Sequence, residues 1–165
     1  MKGAGIDVEK IRILDEKTVE VSLPSRLGYE RIAMECSASF AKIFGLPQDR
    51  IEDLKTAVSE ACLNAIEHGN KGRPEARVVV TMSAEKGTFT VSVVDEGEGI
   101  SEFPDPPDIE EKLEKLQPPR GIGVFLIKQL VDQVEFNRMT EEGHEVRMVI
   151  KMRGLGRRPA DDTAL

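Results

Sequence analysis

A chain of 165 residues, 39% of them hydrophobic and 32% charged, can bury about two-thirds of the surface its unfolded form exposes, so it needs neither disulfides nor a metal to fold. A net charge of −7, one Tyr and no Trp argue against nucleic acid or anionic membrane as direct partners, since both attract positive charge and bases stack on aromatic rings. No apolar run approaches the roughly 20 residues of a membrane span, and MKGAGIDVEK lacks the apolar core of a signal peptide; the expectation is a soluble, cytoplasmic protein.

Residues 18–23, TVEVSL, alternate as a half-buried strand with Val19, Val21 and Leu23 on one side. A helix is predicted over 26–44, closed by Gly45, and Pro47 opens a second that runs to the glycines at 69–72. Strands at 76–82 and 88–95 join through EKG as a hairpin with Gly87 at the turn. Segment 101–119 holds five of the nine prolines and many acids, so it reads as a long loop with a short helix in IEEKLEKL. GIGVFLIKQLVDQ is a helix after a glycine-rich turn, and VEFNRM and HEVRMVIKM are a last strand pair around Gly143. In the final strand Val146, Met148, Ile150 and Met152 share one face. The tail, 153–165, is polar. Cys36 and Cys62 fall in predicted helices without CxxC spacing, and so read as reduced core thiols. The order predicts an α+β fold: a two-layer sandwich of a mixed, mainly antiparallel sheet with helices on one face.

Three motifs carry chemistry. In VSEACLNAIEHGNKG, Ile51, Leu54, Val58, Ala61, Cys62 and Ala65 make the helix's apolar stripe, and Glu60, Asn64 and His68 drift toward its border. Alone, that row fits either the wet side of a helix or the wall of a binding site. In VVDEGEGI, alternation puts Phe89, Val91, Val93 and Asp95 on one side, sending a carboxylate into the buried face just before Gly97 and Gly99. Burying an unpaired carboxylate is costly, which makes sense if a ligand brings donors. D-x-G-x-G arises by chance about 0.04 times in this length, so it outweighs the commoner E-x-x-x-N. In RGIGVFLIKQL, Gly121 and Gly123 precede an apolar helix whose free N–H groups, with Arg120, suit phosphates. Neither a dinucleotide fingerprint nor a Gly-Lys-Ser/Thr loop is present.

In this order the three motifs resemble the N, G1 and G2 boxes of the GHKL (histidine-kinase-like, Bergerat-fold) ATPases. The resemblance spans roughly residues 10–152, and AVSEACLNAIEHGNKG and RGIGVFLIKQLVDQVEF look most like the anti-sigma factor serine/threonine kinases. It implies ATP and Mg²⁺ as ligands, Glu60 as general base and Asn64 as the Mg²⁺ ligand. Asp95 would read the adenine amine, with Gly97, Gly99 and Ile100 shaping that end. Arg120, Gly121, Ile122, Gly123 and Val124 would surround the phosphates. His68, at the last N-box position, would be structural or line the site, and His144 reads as an ordinary strand residue. Residues 1–152 would be one kinase domain with an ATP lid at about 101–119. The implied partners are an anti-anti-sigma protein as substrate, a sigma factor and a second copy of the chain. An ATP-dependent partner-switching module without significant kinase activity is the alternative.

Overall fold

The computed structural model describes residues 14–97, 122–139 and 143–152. The expected lid, its short helix and the tail lie outside the described residues.

The elements are strand β1 (Thr18–Pro24), helices α1 (Glu30–Ile43) and α2 (Gln48–Asn64), strands β2 (Arg77–Glu85) and β3 (Thr88–Val94), helix α3 (Ile122–Leu130), and strands β4 (Gln133–Arg138) and β5 (His144–Lys151). The alternating sequences make the sheet. Val78, Val80, Met82 and Ala84 of β2 and Phe89, Val91 and Val93 of β3 are buried, while Thr81, Ser83, Thr90 and Ser92 on the other face are half-exposed. Glu85 pairs with Thr88, so the hairpin turn is the two residues Lys86 and Gly87, both with positive φ as a type I′ turn requires. The strand therefore extends further than the expected 82.

Strand order is β1-β2-β3-β5-β4, and every neighbouring pair among the described residues is antiparallel. The expected α+β fold with a mainly antiparallel sheet is the one found, and among the described residues the sheet holds no parallel pair. Two helices between β1 and β2 send the chain out and back, so β2 runs against β1. Strands β1, β3 and β4 run one way and β2 and β5 the other, and no two that run the same way are neighbours.

Helix α1 starts at Glu30 and not at 26. Residues 25–29 turn instead, with the Arg26 N–H donating to the Pro24 carbonyl at 2.9 Å and Gly28 at φ +101°, a backbone outside the right-handed helical region. The helix closes before Gly45 as expected. Its Phe40 ring packs 5.7 Å from Phe89 and 5.0 Å from Phe44, seating the helix on the sheet. The whole predicted stripe of α2 is buried, and Cys62 within it is a core thiol pushed up to about 12 by desolvation. Cys36 is only half-buried. On β1 the apolar face is graded: Leu23 is buried, Val21 half-buried and Val19 is 39% exposed on this edge strand.

Helix α3 ends at Leu130, earlier than the sequence suggests, because Asp132 leaves the helix to join the sheet. Its N–H donates to the Val149 carbonyl, and its carboxylate accepts from the Lys151 N–H at 2.7 Å and from Arg50 at 2.9 Å. The Arg50 guanidinium also donates to the Leu130 carbonyl at 3.2 Å, tying the start of α2 to the end of α3. That tie fixes α3 against α2, where the first motif lies.

Candidate functional site

Helix α2 does not stop as an α-helix. After Asn64 it widens into a π-helical turn, Ala65–Gly69, in which the Asn70 N–H reaches five residues back to the Ala65 carbonyl at 2.7 Å. Such turns insert an extra residue and recur at functional sites. Glu60, Asn64 and His68 are all half-buried, the border position expected of them. The widening turns Gly69 and Asn70 inward, and both are buried.

At one end of this row stands the first turn of α3. A Cβ placed on Gly123 would lie 2.8 Å from Glu60 Oε2 and 3.3 Å from Asn64 Nδ2, so the glycine lets the first turn of α3 sit this close to the row with both side chains in place. Glu60 and Asn64 therefore share one small space with the backbone of the third motif. Burial holds the Glu60 carboxyl above its ordinary range, and the Glu67 carboxylate adds to this. Ile122 is half-buried beside them and Val124 is buried. Arg120 and Gly121 lie outside the described residues, as do Gly99 and Ile100.

At the other end stands Asp95, 8% exposed and on the buried face as alternation predicts. It is less bare than expected: the N–H groups of Gly97 and His144 both donate to Oδ1, at 2.8 and 3.2 Å. Desolvation still outweighs these bonds and holds its carboxyl above the ordinary range, with the nearby His144 and Arg73 opposing. Oδ2 lies against the Cα of Gly69, where any Cβ would collide with the carboxylate. Gly97 packs in turn on the Gly69 carbonyl. Its missing side chain thus serves chain packing, a use the sequence reading did not foresee.

Two further residues belong to this end. Asn70 is fully buried and staples three segments: its Nδ2 donates to Ser25 Oγ and to the Arg77 carbonyl, both at 3.0 Å, and its Oδ1 accepts the Glu96 N–H at 2.8 Å. Nothing in its sequence spacing marks it. His144 is a strand residue as expected, the first of β5, and it stands opposite Asp95, with the Asp95 N–H donating to its carbonyl at 3.0 Å. The signal was legible, because the alternation through Met148 and Val146 puts His144 on the buried face.

The sequence profile of the histidine kinase-like ATPase domain matches residues 23–150. The chain belongs to the histidine kinase-like ATPase domain family. It is 30% identical over 135 residues to Serine-protein kinase RsbW of Bacillus thuringiensis (strain Al Hakam), covering 79% of this chain and 82% of that protein. The same figures hold for Serine-protein kinase RsbW of Bacillus cereus (strain 03BB102). Among solved structures it resembles the RsbU and RsbW domains of Rv1364c from Mycobacterium tuberculosis, with a TM-score of 0.58 at 17% identity, over 82% of this chain. The chain spans 32% of that longer one, and at this identity the likeness concerns the fold alone. Membership of an ATPase family agrees with the GHKL resemblance of the three motifs and implies ATP binding. No helix among the described residues is long and apolar enough to cross a membrane.

Proposed function

We propose that this chain is a cytoplasmic serine/threonine protein kinase that transfers the γ-phosphate of ATP to an anti-anti-sigma protein and, in a second complex, sequesters a sigma factor. The observation that carries the reading is the convergence of Glu60 and Asn64 on Gly123. A nucleotide binder without chemistry has no use for a half-buried carboxylate there. Burial raises the Glu60 carboxyl toward the pH at which a general base works best. In the transfer, the Ser or Thr oxygen bonds to the γ-phosphorus, the bond to the bridging oxygen breaks, ADP leaves, and Glu60 takes the hydroxyl proton.

The residues present fit the ligands this requires. By the family resemblance Asn64 Oδ1 would be the protein's ligand to Mg²⁺, with phosphate oxygens and waters completing the shell. Bound there, Mg²⁺ supplies neutralisation of the phosphate charge. Asp95 accepts from the adenine amine at an end shaped by Gly97, Gly99 and Ile100. Gly121, Ile122, Gly123, Val124 and Arg120 surround the phosphates, and His68 lines the helix wall. In this reading residues 1–152 are one domain with a lid at about 101–119 and a polar tail, and the working form is a homodimer. That the RsbW relatives are named serine-protein kinases supports the kinase half of the proposal.

The test is transfer of label from γ-labelled ATP, with Mg²⁺, to small single-domain regulators encoded near this gene. The expected result is a phosphorylated Ser or Thr, lost in Glu60→Gln and Asn64→Ala. Tight ATP binding with no transfer to any candidate would leave the partner-switching module in its place.

A further inference from the structure

The strands β3 and β5 face each other as apolar cross-strand pairs, Phe89 with Ile150, Val91 with Met148 and Val93 with Val146. Two residues on, the ladder ends in a polar pair, Asp95 and His144. Cross-strand partners present their side chains on one face, so the imidazole and the carboxylate sit side by side where the core gives way to the base-reading end of the site. His144 is held firmly. Its carbonyl accepts from the Asp95 N–H, its own N–H donates to Asp95 Oδ1, and the preceding Gly143 donates to the Gly97 carbonyl at 2.6 Å.

One atom of this pair is unaccounted for. His144 Nδ1 is buried and, among the described residues, bonds to nothing, although it lies 3.9 Å from Asp95 Oδ1. That separation is too long for a hydrogen bond. A buried polar atom left unbonded is costly, and a site meant to receive a ligand is a place where such a cost is recovered on binding. The tautomer follows from the neighbour. A carboxylate beside Nδ1 favours the proton on that nitrogen, because an N–H dipole then faces the negative charge where a lone pair otherwise would. The pair therefore offers an acceptor, Asp95, next to a donor, His144 Nδ1–H.

We propose that His144 is a specificity-determining residue of the nucleotide site: its Nδ1–H donates to the ring nitrogen N1 of adenine while Asp95 accepts from the adjacent exocyclic amine. The inference rests on the ATP reading above and adds to it the discrimination between purines. Adenine presents a donor beside an acceptor along this edge. Guanine presents an acceptor and a donor in the reverse order, so both contacts would be mismatched and two buried groups left unpaired.

The experiment is calorimetric binding of ADP, GDP and 1-deaza-ADP, which lacks N1, in Mg²⁺ buffer to wild type, His144→Ala, His144→Asn and Asp95→Asn, with thermal melts of each. Wild type should prefer ADP to GDP and bind 1-deaza-ADP about three- to tenfold more weakly than ADP, the worth of one neutral hydrogen bond. In His144→Ala the ADP over GDP preference should narrow by about tenfold, and the penalty for removing N1 should vanish. His144→Asn places an amide nitrogen where Nδ1 stands and should restore both. A structural role would lower affinity for all three ligands equally, along with the melting temperature, and that pattern overturns the proposal. Wild-type selectivity in His144→Ala also overturns it. If Asp95→Asn loses ADP while His144→Ala behaves as wild type, the ATP reading stands and this inference alone falls. If wild type binds no nucleotide, both fall.

Discussion

A Cβ added at Gly123 would meet the tips of two side chains, Glu60 and Asn64, whereas one added at Gly97 would meet the backbone carbonyl of Gly69. Both glycines serve close approach, yet side-chain tips can swing away and a carbonyl held in a buried turn cannot. The Glu60 end of α2 is thus an assembly of movable groups set on a finished fold. The Asp95 end is part of how the fold closes, since Asn70, Gly69 and Gly97 join helix, sheet and loop in the same few ångströms. Substitutions at the first end should leave stability near wild type, and those at the packed residues of the second, Gly69, Asn70 and Gly97, should not.

The largest expected effect is at Glu60. Replacing it with Gln keeps shape and removes the proton acceptor, so phosphoryl transfer should fall by about 10²- to 10⁴-fold. ATP affinity should stay near wild type and the melting temperature should not drop, because an amide replaces a carboxylate whose ionised form burial disfavours. A parallel fall in transfer and melting temperature would erase the contrast between the two ends. Gly97→Ala should do the opposite and destabilise by about 3 kcal/mol, read as a lower denaturation midpoint, since the backbone must move to admit a methyl group. Gly123→Ala gives the control: it should keep or slightly raise stability, as alanine in a helix does by about 1 kcal/mol, while pushing the Glu60 carboxylate aside and slowing transfer. Asn70→Ala should cost about 2 kcal/mol, chiefly from leaving the part-buried Glu96 N–H and Arg77 carbonyl without these partners.

These residues also show what was legible in the sequence. Period-two alternation found the strand faces and the inward Asp95, and the helical stripe found the border row, because both patterns come from burial on one side of a regular element. The same alternation, carried back one step from Val146, reaches His144. Three things were not legible: the π turn, the start of α1 and the partners of Asn70. The π turn depends on how Gly69 and Asn70 dock on segments far away in sequence, and Asn70's three bonds join residues 25, 77 and 96 to it. Local propensity holds no record of such contacts. The packing of Gly97 on Gly69 was hidden for the same reason, since the fold brings that neighbour in.

The smallest effect is the most diagnostic of the second end. Asp95 has its carboxyl raised above the ordinary carboxylate range, chiefly by desolvation, so the folded state holds its proton more tightly than the unfolded state does. The contribution of this group to stability is then fully present below the unfolded value and is lost as pH rises through the folded one. At neutral pH the fold therefore carries a buried charge that it would be more stable without. Asp95→Asn removes the charge while its amide oxygen can still accept the Gly97 and His144 N–H groups, so it should stabilise by about 1 kcal/mol, the usual scale on which a binding residue's neutral replacement gains. The gain should be full at pH 7 and shrink as pH falls toward 4, in melts of both proteins across that range. ATP binding should be lost in the same variant. A stability gain that does not change with pH would mean that the charge of Asp95 is not what the fold is holding against its own preference, and the distinction between an end that reads and an end that acts would rest on the glycines alone.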